Sequence, residues 1–370
     1  MVEPKYRKRG KYWQYRIRKN GKEISKSGFP TKKLAIEAAL ERVKQLSNNK
    51  IDNTSTIYDL WLNWYNLEIK PSTKSSRTKE KIFKSGGQIE KYFGHMVASK
   101  ITYSEYQESL NSYGTSVGSD TLSRVNSMIK QSIILARRDR LNIEDFTLGI
   151  KINGQRKPKS SNEKYISSLA DYQRLLSYLK KHLNYSQSIM EYVFYVQLKT
   201  GLRIGEVLGL TWAEIDFDKA EIYTYRRVDS ARHIIVPPKT ETSVRKVPID
   251  KEMVIILKQL KEAQEDRNIF RISDGFVFFD IRVGIPTNNG LNKALKRFLE
   301  ELNIKPIITT TGCRHTYCCV LLLKGIDLNA IAKLMGHKNI QRIIDTYGHV
   351  LRELEENENE KVREALMLMG

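Results

Sequence analysis

Cysteine is scarce in this 370-residue sequence: there are three, Cys313, Cys318 and Cys319, all within one short stretch. None has a distant partner to staple, so a disulfide framework is excluded and free thiols in a reducing compartment are expected. His315 and His337 fall in the same region. Their spacing matches no zinc pattern, and no metal or other cofactor is expected. Long apolar runs are missing too. No stretch approaches the roughly 18 apolar residues of a membrane-spanning helix, so no membrane partner is expected. Residues 1–10 are basic without an apolar segment behind them, and a secretory signal is not expected either. A G-x-x-x-x-G-K-[ST] loop is also lacking, which removes the usual sign of ATP use.

What the sequence has in excess is positive charge. Lys and Arg number 63 against 42 Asp and Glu, a net charge of +21. Such a chain attracts polyanions, of which nucleic acid is the commonest. The surplus is uneven: residues 1–50 hold 15 Lys and Arg and 4 Asp and Glu, about half of the excess. A solvated basic tail would account for that charge, but the segment also carries strand and helix signals. At this length two or three domains are expected.

Residues 5–46 read as a small folded unit. Tyr12, Trp13, Tyr15 and Ile17 interleave with Lys11, Arg16 and Arg18 as in a strand. Asn20-Gly21 is a hairpin-turn signal, since both residues accept positive φ, and a second strand follows over 22–27. Thr31, after Pro30, can cap a helix whose apolar stripe is Ile36, Ala39, Leu40, Val43 and Leu46. One sheet face can pack that stripe. The other can lay basic and aromatic side chains in a DNA groove, although so small a unit must bury some of its aromatics. Residues 47–54 are polar and read as a linker. From 56 to about 147 the pattern is helical, with stripes at Tyr58, Leu60, Trp61 and Trp64, then Ile82, Ile89, Tyr92 and Phe93, then Leu122, Val125, Met128, Ile129, Ile133 and Leu135. The last ends in Arg137, Arg138 and Arg140, a basic face. Residues 151–164, with Gly154 and Pro158, read as a basic interdomain linker. Beyond Tyr165 the pattern is mixed: helical over 168–183 and 189–200, strand-like over 221–228, 233–237, 245–249 and 276–279, then helical from 291–302 to the end.

Chemistry-bearing residues lie in separated islands. T-G-L-R-I-G-E (200–206) sits at a helix–turn–helix junction, where Gly201 ends one helix and Gly205 permits close packing. Arg203 is flanked there by apolar residues and needs an anionic partner, either Glu206 or a bound phosphate. P-K-T-E-T-S-V-R (238–245) lies between two strands and puts Lys239 on or near a hairpin tip, either solvated or in reach of a ligand. In T-T-T-G-C-R-H-T-Y (309–317) a polar, Gly-containing turn leads into an apolar helix. The macrodipole opposes a cation such as Arg314 at a helix start, so a negative group is expected beside it. L-M-G-H-K-N (334–339) is followed by D-T-Y-G-H-V (345–350). Gly336 ends a helix and Asn339 can start another. Taken alone, His337 would more often be structural and Tyr347 would more often be core.

In this order the islands resemble the catalytic domain of the tyrosine recombinases of the phage-integrase family, over roughly 165–370. The N-terminal unit resembles the arm-type DNA-binding domain of phage and conjugative-element integrases, and the helical block resembles their core-binding domain. The resemblance implies a multidomain, mainly α protein with small β-sheets. Its parts would be an N-terminal three-stranded sheet plus helix over 1–50, a helical, SAM-like core-binding domain over 55–150, the linker over 151–164, and an α+β catalytic domain over 165–370 with a C-terminal tail helix. It also implies a function: a site-specific recombinase that integrates or excises a mobile element through a 3′-phosphotyrosine. Tyr347 would attack the phosphate, Arg203 and Arg314 would clamp its nonbridging oxygens, His337 would hydrogen-bond beside it, Lys239 would protonate the leaving 5′-oxygen, and Glu206 would support Arg203. DNA contacts are expected at Arg7, Lys8, Arg9, Lys11, Tyr12, Trp13, Arg16, Arg18, Arg137 and Arg138. The expected partners are double-stranded DNA at core and arm sites, three further copies in a tetramer on synapsed DNA, an excisionase and a DNA-bending host factor. The expected location is the cytoplasm and nucleoid of a bacterial host.

Cations suit this chemistry. A phenol with a pKa of about 10 is a poor nucleophile at neutral pH, and positive charge around the phosphate favours both phenolate and transition state. One departure stands out. The family usually has a histidine three residues before the second arginine; here that residue is Thr311, and Cys313 replaces a common leucine. Threonine can hydrogen-bond but is no base near pH 7. The acceptor of the Tyr347 proton is left open, with His315 next to Arg314 in a place the family gives to structure. A catalytically weakened recombinase or a DNA-binding regulator is the alternative that Thr311 allows. A resolvase or type IB topoisomerase would share the chemistry, but the basic N-terminal unit argues against a resolvase without arm sites. The tail after Tyr347, acidic and then apolar (Leu351, Leu354, Val362, Ala365, Leu366, Met367, Leu368), is expected as an amphipathic helix docked either on a neighbouring subunit or on its own.

Overall fold

A computed structural model of the chain describes residues 4–19, 22–47, 51–157, 160, 163–269 and 274–368. The expected turn at Asn20-Gly21 and the side chains of Arg18, Val43, Leu46, Leu354 and Ala365 lie outside the described residues. Contacts divide the chain into two compact units, Met1–Pro158 and Lys159–Gly370. Among the described residues no helix is long and apolar enough to cross a membrane.

The first unit opens with an antiparallel sheet of β1 (Lys5–Arg9), β2 (Tyr12–Lys19) and β3 (Lys22–Phe29), with β2 central. Alternation along β2 turns Tyr15 and Ile17 into a small core and leaves Tyr12 exposed. The helix α1 (Lys32–Ser47) closes that core through Ala35 and Ala39, both buried, while Leu40 is exposed. The packed stripe is thus offset from the expected one, because two alanines let helix and sheet approach closely. Four helices follow: α2 (Ile57–Trp64), α3 (Ser76–Phe93), α4 (Tyr103–Gly114) and α5 (Ser119–Arg138). Thr56 and Thr102 start α2 and α4 through reciprocal capping boxes with Asp59 and Glu105. The expected stripes of α2, α3 and α5 meet in one core around Trp61, Ile89, Phe93, Val125 and Ile129. Of the basic stretch expected as a tether, residues 151–156 are bound into this unit: Gln155 N–H donates to Gly114 O at 2.9 Å and Arg156 N–H to Val117 O at 3.2 Å. Gly154 permits this approach, since a Cβ there would stand 2.1 Å from Ser119 N.

The second unit begins with α6 (Leu169–Lys181), capped by Ser168, and α7 (Met190–Thr200), buried over most of its surface. A short α8 (Ile204–Leu208) leads to an antiparallel sheet of β4 (Ile215–Asp216), β5 (Glu221–Thr224) and a later strand. Between them β6 (Arg227–Asp229) pairs with β7 (Ile234–Val236) as a separate hairpin, and β8 (Arg245–Pro248) then returns to pair with β5. The continuous strand expected over 221–228 is therefore two strands in two sheets. The stretch expected as a strand over 276–279 makes only an isolated bridge, Phe276 to Thr211; Val277 and Phe278 fill the core from irregular chain. Among the described residues four helices precede the last: α9 (Lys251–Glu265), with no counterpart in the sequence reading, α10 (Asn288–Glu301), α11 (Thr310–Leu323) and α12 (Leu328–Met335). The last, α13 (Gln341–Leu368), carries Tyr347 and continues unbroken into the tail, with Val362, Leu366, Met367 and Leu368 exposed. A large core joins α6, α7, α9 and α10 to the sheet. A smaller one joins α11, α12 and α13 around Tyr317, Cys318, Cys319, Met335 and Tyr347, with Tyr165 packed among them. All three cysteines are buried, and no disulfide joins them.

Candidate active site

Arg203 owes its position to the end of α7. Gly201 closes that helix in the left-handed region, φ 64°, and a Cβ there would stand 2.2 Å from the Tyr317 ring. The chain then turns, and Arg203 N–H donates to Glu206 Oε2 at 3.0 Å. Its guanidinium donates from Nη1 to Glu206 Oε1 at 2.7 Å and to Ser243 Oγ at 3.1 Å, and from Nη2 to Gly336 O at 3.3 Å. Glu206 is almost fully buried and also receives Arg245 Nη2 at 3.1 Å. Burial pushes the Glu206 carboxyl up, but the Arg245 and Arg203 charges outweigh it and hold it below the ordinary range. Gly205 fits tightly too: a Cβ would lie 2.9 Å from Val228 O.

Arg314 is not at the mouth of a helix. The stretch 310–323 is helical throughout, since the Thr310 amide and hydroxyl are held by Asn292 Oδ1 and Asn288 Oδ1, and Arg314 sits well inside α11. It is only 7% exposed. Nη1 donates to Gly201 O at 2.5 Å, Nη2 donates to Met335 O, and Nη2 lies 3.4 Å from His337 Nε2. Burial, then the Arg203 charge, pushes its pKa down to about 9, so it remains a cation at neutral pH. Among the described residues no carboxylate lies within ion-pair distance of it. In place of a contacting negative group, the carbonyls of Gly201 and Met335 accept from it, with the Glu206 charge acting from further away. His337 follows Gly336, which ends α12 at φ 59°. Burial first, then Arg314 and Arg203, pushes His337 down to about 4, and its Nδ1 is buried without a hydrogen-bond partner.

These groups converge on one cavity of about 630 Å³ lined by Arg203, Lys239, Thr311, Arg314, His315 and His337, among others. Lys239 is exposed and lies in the connection from β7 to β8, which belong to different sheets, so the expected hairpin tip does not exist. Lys338 and Arg342 also line the cavity, and no carboxylate does. Neither was singled out from sequence; Arg342 is brought in only by the turn at Gly336 and the start of α13. Arg245 was also missed as a functional residue. It is buried, and besides Glu206 it donates to Leu334 O at 2.6 Å and Ser243 O at 3.0 Å, bracing β8 against the end of α12. Its signal was available: a lone arginine closing the Lys239 island.

Tyr347 is 1% exposed and does not line this cavity. It lines a smaller neighbour of about 260 Å³, whose wall shares Arg314, His315 and His337 with the first. Its hydroxyl is 2.6 Å from His315 Nδ1 and 3.2 Å from His315 O, and its ring packs on Tyr165 at 5.4 Å between centroids. Burial, followed by Cys318, raises its pKa well above that of a free phenol. In this arrangement Tyr347 is a neutral phenol set beside the cationic cavity rather than in it.

In the first unit Arg7, Lys8, Arg9, Lys11 and Tyr12 are exposed, and Trp13 and Arg16 are partly buried. Trp13 carries Lys32 Nζ 5.5 Å above its ring. Arg138 is exposed, whereas Arg137 Nε donates to Ile143 O at 2.6 Å.

Residues 168–353 match the model of the phage integrase family, and residues 55–114 match the phage integrase N-terminal SAM-like domain. The chain belongs to the phage integrase family and is a tyrosine site-specific recombinase, an enzyme that cleaves and rejoins DNA strands. A tyrosine recombinase XerC-like protein of Caldanaerobacter subterraneus subsp. tengcongensis is 25% identical over 363 residues, covering 90% of each chain. Among solved structures, the Tn1549 transposon integrase (residues 82–397 of that protein) in complex with transposon right end DNA shares the fold at TM-score 0.66 and 20% identity, covering 83% of this chain and 99% of its own. A lambda integrase tetramer bound to a Holliday junction shares it at TM-score 0.56 and 16% identity, over 89% and 90%.

Proposed function

We propose that Tyr347 is the nucleophile and that Arg203, Arg314, His337 and Lys239 form the phosphate site. Tyr347 Oη attacks a DNA phosphodiester seated in the cationic cavity, leaving a 3′-phosphotyrosine and a 5′-hydroxyl. Arg203 and Arg314 bind the nonbridging oxygens, His337 hydrogen-bonds beside them, and Lys239 gives a proton to the leaving 5′-oxygen. The observation that carries this reading is the convergence of Arg203, Lys239, Arg314, Lys338 and Arg342 on one cavity with no acidic side chain in its lining. A phosphodiester supplies the charge that such a site lacks, and preorganised donors strengthen as charge develops in the transition state. Glu206 fixes Arg203 without entering the cavity. The phosphotyrosine conserves the energy of the broken bond, so rejoining needs no ATP.

Around this chemistry, residues 1–50 serve as an arm-site domain and 55–150 as a core-binding domain, with 151–164 joining them to the catalytic domain at 165–370. The DNA contacts are Arg7, Lys8, Arg9, Lys11, Tyr12, Trp13, Arg16, Arg18, Arg137 and Arg138. The working assembly is a homotetramer on synapsed DNA in the nucleoid, served by an excisionase and a DNA-bending factor. The exposed Val362, Leu366, Met367 and Leu368 support docking of the tail on a neighbouring copy. The test is a nicked suicide substrate carrying the element's own core site. Wild-type protein is expected to form a covalent complex that Tyr347→Phe does not form. Absence of that complex with wild type would leave a DNA-binding regulator in place of the enzyme.

A further inference from the structure

A phenol that attacks phosphorus must lose its proton, and Thr311 cannot take it. Two side chains reach the phenol, the Cys318 thiol and the His315 imidazole, and of these the imidazole is suited to accept a proton. Its Nδ1 stands 2.6 Å from Tyr347 Oη, and its ring lies on the wall common to the cationic cavity and the tyrosine's own cavity. The other candidates are occupied or unsuited. Both Glu206 oxygens are taken by Arg203 and Arg245. His337 presents Nε2 to Arg314. Cys318 is a buried thiol, pushed up to about 12 by burial. Asp345 is exposed and accepts from Gln341 Nε2 at 2.8 Å.

We infer that His315 is a catalytic residue of this recombinase, its Nδ1 accepting the Tyr347 proton as Oη attacks. The inference rests on Tyr347 being the nucleophile. The Oη–P bond forms and the P–O5′ bond breaks; the phenolic proton moves to Nδ1, and the 5′-oxygen takes a proton from Lys239. In rejoining, O5′ attacks, its proton returns to Lys239, and the imidazolium of His315 returns its own to Oη as the phosphotyrosine bond breaks. The groups facing the pair are consistent with this use. Arg314 and His337 share the wall, Lys164 lies near enough to act on His315, and Tyr165, Cys318 and Cys319 surround the phenol, with Arg342 and Asp345 at the cavity edge. Burial, then Arg314 and Lys164, lowers the His315 pKa, so the ring is neutral and able to accept at physiological pH. Sequence alone gave this position to structure; the 2.6 Å contact gives it chemistry.

The test is single-turnover cleavage of the suicide substrate by the full-length protein between about pH 5 and 8, where a histidine of lowered pKa titrates. Wild-type cleavage is expected to rise with pH through a midpoint below the ordinary histidine value and then level off. His315→Gln and His315→Asn each keep a hydrogen-bonding group but cannot carry the proton. Both are expected to bind core-site DNA normally, cleave about 100-fold or more slowly and lose the acid limb. A substrate with sulfur at the bridging 5′ position, which leaves without protonation, should restore Lys239→Ala but neither His315 variant. Either variant cleaving at the wild-type rate with its acid limb intact overturns the inference. So does rescue of both variants by the sulfur substrate, which would move His315 to the leaving group. If wild type forms no covalent complex at all, it is the nucleophile assignment that fails first.

Discussion

Glu206 is a buried carboxylate shared by Arg203 and Arg245, and each side chain depends on the other two. Removing one partner of such a group leaves buried charge uncompensated, at a cost of about 3–5 kcal/mol. Glu206→Gln is therefore expected to lower the unfolding temperature of the full chain at pH 7 and to slow cleavage through a misplaced Arg203. The pH dependence has a definite sign. The folded-state pKa of Glu206 is depressed, so its stabilisation is fully present above the unfolded-state value and is lost as pH falls through the folded one. Calorimetry of wild type and Glu206→Gln should show their difference shrinking in acid below about pH 4.5. An equal gap at pH 3 and pH 7 would mean that the carboxylate is not what holds the pair of arginines. At this scale the sequence was informative about identity and poor about company. Arg203, Glu206, Lys239, Arg314, His337 and Tyr347 each stood in a motif, and four of them line one cavity. Ser243 and Arg342 joined them only through folding, with nothing local to distinguish them from surface residues, whereas Arg245 at least closed the Lys239 island.

The elements that aim these side chains end in tight turns, of which Gly201 is the most exacting. It needs positive φ, it has an aromatic ring where a Cβ would go, and its carbonyl accepts from Arg314. Gly201→Ala is expected to cost about 1–3 kcal/mol in strain and to misplace both Arg203 and Arg314 at once. Cleavage should fall at least 10-fold while core-site affinity in a gel shift is kept; unchanged cleavage would show that the turn tolerates a side chain. The helices were legible where a cap preceded a clear stripe, as at Thr56 for α2 and Ser168 for α6. Helix α9 was not, although Asp250 caps it and Met253, Ile256, Leu257 and Leu260 form its buried stripe; its many charges hid the period. The strands were least legible. Buried apolar chain at Val277 and Phe278 has a strand's composition without its pairing, and Lys239 was placed on a hairpin because the partner of β8 is β5, far back in the sequence.

At the scale of the whole molecule the net charge of +21 governs how DNA is met. Affinity for duplex DNA should fall about 10³–10⁵-fold between roughly 50 and 200 mM salt if 6–10 phosphates are contacted. Deleting residues 1–50, which carry about half of the surplus charge, should abolish binding to distal arm sites and flatten that salt dependence, while cleavage at the core site survives. Filter binding on arm and core duplexes would show it, and arm-site binding undiminished by the deletion would contradict a separate arm-site role.

Because α13 runs without a break from Gln341 to Leu368, Tyr347 is mounted near the root of a stiff rod about 40 Å long. Anything that grips the far end gains leverage over the phenol at the near one, so capture of the tip and withdrawal of Tyr347 from His315 are a single mechanical event unless the rod yields. The position best suited to yield is Gly348, immediately after the tyrosine, where a Cβ would meet no neighbour.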